Sequence, residues 1–110
     1  MPRFIVTGCY TPSAMKAMVE SPSDRESASR AVVEAAGGTQ ENFYLTTGES
    51  DFAITVTIDD VSALLAGLLA VGASGAVSNL KTVRAFSSDE FTEMQKKAGG
   101  IADAYKAPGK

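Results

Sequence analysis

The sequence predicts an α+β domain in which helices pack on one face of a four-stranded antiparallel sheet. Three observations carry that expectation. Residues 42–60, NFYLTTGESDFAITVTIDD, alternate on either side of a Gly-containing turn, the pattern of two half-buried antiparallel strands. Val61, Leu64, Leu65, Leu68 and Leu69 then fall at i, i+3, i+4, i+7 and i+8, an amphipathic helix. Further helix start signals at Thr11-Pro12, at Ser21-Pro22-Ser23-Asp24 and at Ser87 alternate with β-favouring segments.

Arg3 to Thr11 is the first strand. Phe4, Val6 and Gly8 share one face and Ile5, Thr7 and Cys9 the other. Apolar residues on both faces make it a central strand. Thr11 caps a short helix with Pro12 at its first position and Ala14, Met15, Met18 and Val19 as its stripe. The chain breaks near Ser21-Pro22 and restarts with Asp24 in the first turn. Ala28, Val32, Ala35 and Ala36 form the next stripe, and Gly37-Gly38 ends it. The hairpin follows, with Gly48 free to take a positive φ and Gln40 read as exposed. On its second strand, Phe52, Ile54, Val56 and Ile58 face the helices, and Ala53, Thr55 and Thr57 look away. Asp59-Asp60 caps the Leu-rich helix, and Ala76 to Phe86 is the fourth strand.

Ser87-Ser88-Asp89-Glu90 is a capping box, flanked by Phe86 and Phe91 as a hydrophobic staple. Gly99-Gly100 is expected to end or fray the last helix. The domain is therefore placed at residues 1–98, with a loose tail at 99–110. The order is βαββαβ plus a C-terminal helix, which is the ferredoxin-like plan. A sheet face left bare is a liability, so a homodimer stacking sheet on sheet is expected to cover the Thr55 face.

Composition narrows the function. At 110 residues the chain makes one domain. A net charge of −3 excludes the basic face that a nucleic-acid partner needs. One cysteine, Cys9, permits no intrachain disulfide, reads as a small buried apolar residue and suits a cytoplasmic location. No apolar run is long enough for a membrane span. The absence of histidine removes the commonest general base and metal ligand, so no metal and no cofactor are expected.

Five residues are candidates for a ligand site. Tyr10 and Tyr44 offer a ring with a phenolic donor, suited to a cleft or to packing at the core's edge. Glu49 and Asp51 flank the turn two residues apart and fit either an acid–base pair or a solvated turn. Arg84 lies in a strand among apolar neighbours. It calls for a carboxylate partner, Glu49 or Asp51, or for a ligand anion. Two functions follow: a homodimeric module that binds a small organic ligand between sheet and helices, or a cofactor-free enzyme using these groups.

FIVTGCYT, SPSDR, GG-T-QENFYLTTGESDFAITVTI and VRAFSSDEF together resemble the GYD family of small bacterial proteins, over roughly residues 3 to 97. The resemblance implies a ferredoxin-like chain related to the dimeric α/β barrels, some of which are cofactor-free monooxygenases or isomerases and others ligand sensors. It implies no catalytic residues. The family's Gly-Tyr-Asp triplet is altered here to Gly48-Glu49-Ser50-Asp51, with Ser50 where the Tyr is expected.

Overall fold

A computed structural model describes residues 1–109. The elements run β1 (Arg3–Tyr10), α1 (Pro12–Glu20), α2 (Arg25–Ala35), β2 (Thr39–Leu45), β3 (Phe52–Thr57), α3 (Val61–Ala73), β4 (Val77–Ala85) and α4 (Ser88–Ile101), then a 3₁₀ turn at Ala102–Ala104. The sheet order is β2-β3-β1-β4, and every neighbouring pair is antiparallel. This is the ferredoxin-like α+β plan, with β1 central as its two apolar faces require.

Alternation builds the core. Phe4 and Val6 of β1 stand opposite Val56 and Ile54 of β3 on the helix side. With Phe52, Ile58, Val33 and Leu64 they make up the buried apolar set. Gly8 stands opposite Phe52, and a Cβ there would lie 2.7 Å from the Phe52 ring. No side chain fits that position, so glycine lets the ring lie flat against β1. Beside it, Asn79 and Leu80 of β4 together face Gly8. Asn79 takes φ 53 to absorb the extra residue of this bulge. Gly48 turns the hairpin at φ 99, and Thr46 closes the turn by donating to the carbonyls of Asp51 and Ser50.

The caps form as their residues dictate. The Thr11 hydroxyl accepts from Ala14 N–H and donates to the Gly75 carbonyl, tying α1 to the start of β4. Asp24 is the N-cap of α2, one step ahead of the first-turn position expected for it, and accepts from Ser27 N–H. At α4, Ser87 N–H donates to the Glu90 carboxylate at 2.8 Å and Glu90 N–H donates to the Ser87 hydroxyl at 3.1 Å, a complete capping box.

Several expectations are overturned. Gln40 is buried, not exposed: its amide donates to the Glu26 carbonyl, because the bulge at Glu41 turns it toward α2. On α1, Met15 and Val19 are exposed. On α3, Leu64 is buried, yet Val61, Leu65 and Leu69 stay in solvent. Val33, rather than Ala35, is the buried residue of α2. A sheet this narrow offers each helix a contact only one or two side chains wide, so the outer part of each stripe finds nothing to cover it.

The last helix departs most. It runs through Gly99-Gly100 to Ile101, buries no residue, and leaves Phe91 59% exposed. Phe86 is half exposed too and lies 4.2 Å beneath the Arg84 guanidinium, so neither ring of the expected staple is buried. The radius of gyration is 18.1 Å, against about 13 Å for a compact chain of this length. A long extent of 62 Å fits α4 reaching out from the sheet as an arm. No helix of the described residues is long and apolar enough to cross a membrane.

Candidate functional site: a hollow between sheet and helices

Between the inner sheet face and α1, α2 and α3 lies a hollow of about 620 Å³. Its origin is a volume mismatch. The sheet presents large side chains, and the helices answer in part with small ones, Ala14 and Ala17 from α1, Ala28 from α2, and Gly67 and Ala70 from α3, beside the larger Met18, Val32, Leu64 and Leu68. The larger Val19, Leu65 and Leu69 point outward. Gly67 also allows α3 to approach α2, since a Cβ there would lie 3.2 Å from Val32. Three aromatic rings line the sheet side. Tyr10 and Phe52 are tilted at 5.3 Å between centroids, and Phe43 stacks on Phe52 at 6.3 Å.

The lining is mostly apolar. Its titratable groups are Tyr10 and Arg25, joined by Ser21, Ser23, Ser29 and Ser74. Burial pushes the Tyr10 phenol above its usual range. The Arg25 charge pulls the other way, and the Asp51 carboxylate adds to the rise. Among the described residues no carboxylate, thiol or amine side chain lines the hollow.

Of the five residues singled out in the sequence, the structure brings Tyr10 to this hollow and places the other four elsewhere. Tyr44 stands on the opposite sheet face, paired with Ala53 and exposed. Asp51 is structural: its carboxylate accepts from Tyr10 N–H at 2.9 Å and its own N–H donates to the Gly8 carbonyl. Glu49 extends from the turn, 4.0 Å from Lys81, so the two carboxylates do not form a pair.

Arg84 is at the far end of the sheet, opposite Phe4, while Asp51 bonds Gly8 and Tyr10. The residues between them along β1 separate the two sites by roughly 17 Å. The partner of Arg84 is Glu90 of the capping box, at 3.9 Å, and not Glu49 or Asp51. Cys9 is half-buried rather than a core residue, and its thiol donates to the Glu49 carbonyl. Among the described residues no group of three or more Cys, Asp or Glu is arranged to hold a metal ion.

Sequence reasoning missed Arg25, Phe43 and Phe52 as wall residues. Arg25 left a signal. It occupies the first position of α2, where the helix dipole disfavours a cation, and such a local conflict marks a residue held for another reason.

The sequence matches the GYD domain over residues 4–94, nearly the whole folded unit. The chain belongs to the GYD family. Ser50, at the place of the family's tyrosine, sits in the hairpin turn and does not line the hollow. Among solved structures, this GYD chain is similar to TTHA0845 from Thermus thermophilus. The TM-score is 0.51 with 18% identity, over 80% of this chain and 96% of that one. It also resembles FFRP-DM1, with a TM-score of 0.47 and 13% identity over 78% of this chain and 100% of that one. At these identities the first likeness speaks to the fold alone, and the second is too distant to support a conclusion. A comparison with curated proteins finds no match.

The raised Tyr10 phenol has a measurable consequence. The folded chain holds that proton more tightly than the unfolded one, so the stability it contributes is intact below the unfolded phenol's range. It is lost as pH rises through the folded value. Ultraviolet titration of the parent minus Tyr10→Phe is expected to show a phenol ionising above the range of free tyrosine. A difference signal at or below that range would contradict its burial.

Proposed function

We propose that this GYD protein is a homodimeric module that binds a small organic ligand in the hollow between its sheet and helices. The hollow itself carries the reading. The hollow is half open, and its apolar walls stay in contact with solvent instead of being buried. A ligand would cover them. The volume falls in the range of small-molecule sites, and the lining is of the usual kind: apolar and aromatic walls with a few polar groups. Binding is favoured over catalysis because the wall offers a phenol and a guanidinium but no general base near neutrality.

The dimer reading rests on the other sheet face. Ile5 and Val83 pair there across β1 and β4, both exposed, beside Thr55, Ala53 and the ring of Tyr44. Ion pairs border this patch, Arg3–Glu41 at 3.2 Å on one end and Lys81–Glu49 on the other. An apolar centre with a charged rim is how an interface is built. The α4 arm supports the same reading. Phe91, Met94, Ala98 and Ile101 repeat at i, i+3, i+7 and i+10 and have no cover within their own chain. A second copy would cover both surfaces.

Occupancy is tested with the neutral apolar dye N-phenyl-1-naphthylamine. Saturable fluorescence enhancement is expected, and Ala28→Leu, which fills the hollow, should weaken it about tenfold or more, while Ala66→Leu on the exposed side of α3 should not. Absence of saturable binding, or equal affinity in Ala28→Leu, would contradict the ligand site.

The dimer is tested by sedimentation. Thr55→Lys places two like charges at a two-fold contact and is expected to yield monomer, while Ala31→Lys on the exposed side of α2 leaves the parent's dimer intact. A parent monomeric at micromolar concentration, or a Thr55→Lys dimer as tight as the parent, rules the contact out.

A further inference from the structure

We infer that the ligand of this hollow is an organic carboxylate with an apolar tail, its head group held by Arg25 and Tyr10. The inference rests on the hollow being a ligand site and adds the chemistry of what fills it.

The decisive group is Arg25. Its Nε is out of contact with solvent and has no hydrogen-bond partner. The chain has four arginines. Arg3 pairs with Glu41, Arg30 with Glu26 and Arg84 with Glu90. Among the described residues, Arg25 alone has no carboxylate. A guanidinium cannot shed its charge, so a buried donor on it stays costly until an acceptor arrives. The planar fork matches a carboxylate, which can accept two parallel N–H bonds.

The surroundings agree on an anion. Arg25 opens α2, an eleven-residue helix whose N-terminal dipole end favours negative charge. The Asp24 carboxylate is engaged as the cap of that helix, bonded to Ser27 N–H and Oγ, and does not line the hollow. Asp51 is likewise engaged, by Tyr10 N–H. The Tyr10 hydroxyl makes no hydrogen bond among the described residues. Its phenol is kept protonated, as a donor, and feels the Arg25 charge. Ser21 and Ser23 add hydroxyls at the same wall.

Beyond this polar corner the walls are Val6, Ile54, Leu64, Leu68 and the two Phe rings. They reward a hydrocarbon or aromatic tail and nothing polar. Among the described residues a single guanidinium lines the hollow with no lysine beside it, which does not suit a phosphate, whose greater charge calls for more donors.

Octanoate and 1-octanol share a tail length and differ at the head, so calorimetric titration of the full chain with each separates head from tail. Octanoate is expected to bind about tenfold or more tighter than 1-octanol. Arg25→Gln should erase that preference while keeping 1-octanol affinity, and Tyr10→Phe should reduce it in part. Circular dichroism confirms that each variant is folded. Equal affinity of the parent for the two probes, or an Arg25→Gln variant that still prefers octanoate, overturns the carboxylate assignment and leaves the hollow as a neutral site. Failure of both probes to bind the parent removes the assignment together with the ligand site.

Discussion

The β1–β3 ladder and the side chains it orders are what the rest of this molecule depends on. Phe4 and Val6 against Val56 and Ile54, with Phe52 over Gly8, form one continuous apolar row. Their burial stabilises the fold by about 25 cal/mol for each Å² of apolar surface removed from water. The helices cover that row chiefly with Val33 and Leu64, while Ala14, Ala17, Ala28, Gly67 and Ala70 leave space elsewhere along it. The covering is therefore incomplete, and the hollow lies where it fails. The same ladder sends Ile5, Ala53 and Thr55 to the outer face, which no element of the described residues covers. One alternation thus generates both the half-open hollow on the helix side and the bare outer face.

Local signals made the fold legible. Thr11-Pro12, Asp24, Asp60 and Ser87 each begin a helix by capping it, and Gly48 turns the hairpin. Each is decided within a few residues along the chain. Face assignments along β3 were equally legible, since a period of two leaves no choice once one residue is placed. Helix faces were not. Leu65 and Leu69 belong to the same stripe as Leu64 by spacing, and only the width of the sheet decides which of them is covered. Gln40 shows the same limit, because the bulge at Glu41 that turns it inward leaves no trace in composition.

The site was less legible than the fold, for a related reason. Polar residues near the turn, Glu49 and Asp51, look like chemistry in sequence because they are close together. Folding assigns Asp51 to the backbone of β1 and Glu49 to solvent. Arg84 takes a carboxylate close by in sequence, Glu90. Tyr10 reaches the hollow because it continues the inner row of β1. Arg25 left only the faint signal of a cation at a helix start, and its lack of a partner, which marks it more strongly, shows only in three dimensions.

The hollow is the claim on which the functional account stands, and xenon is its most direct probe, since an apolar space of this size takes up the gas without needing a known ligand. In crystals of the unliganded protein pressurised with xenon, electron density is predicted between Val6, Phe52 and Leu64. A structure in which α1 and α3 close onto the sheet, with no xenon between them, would contradict the account.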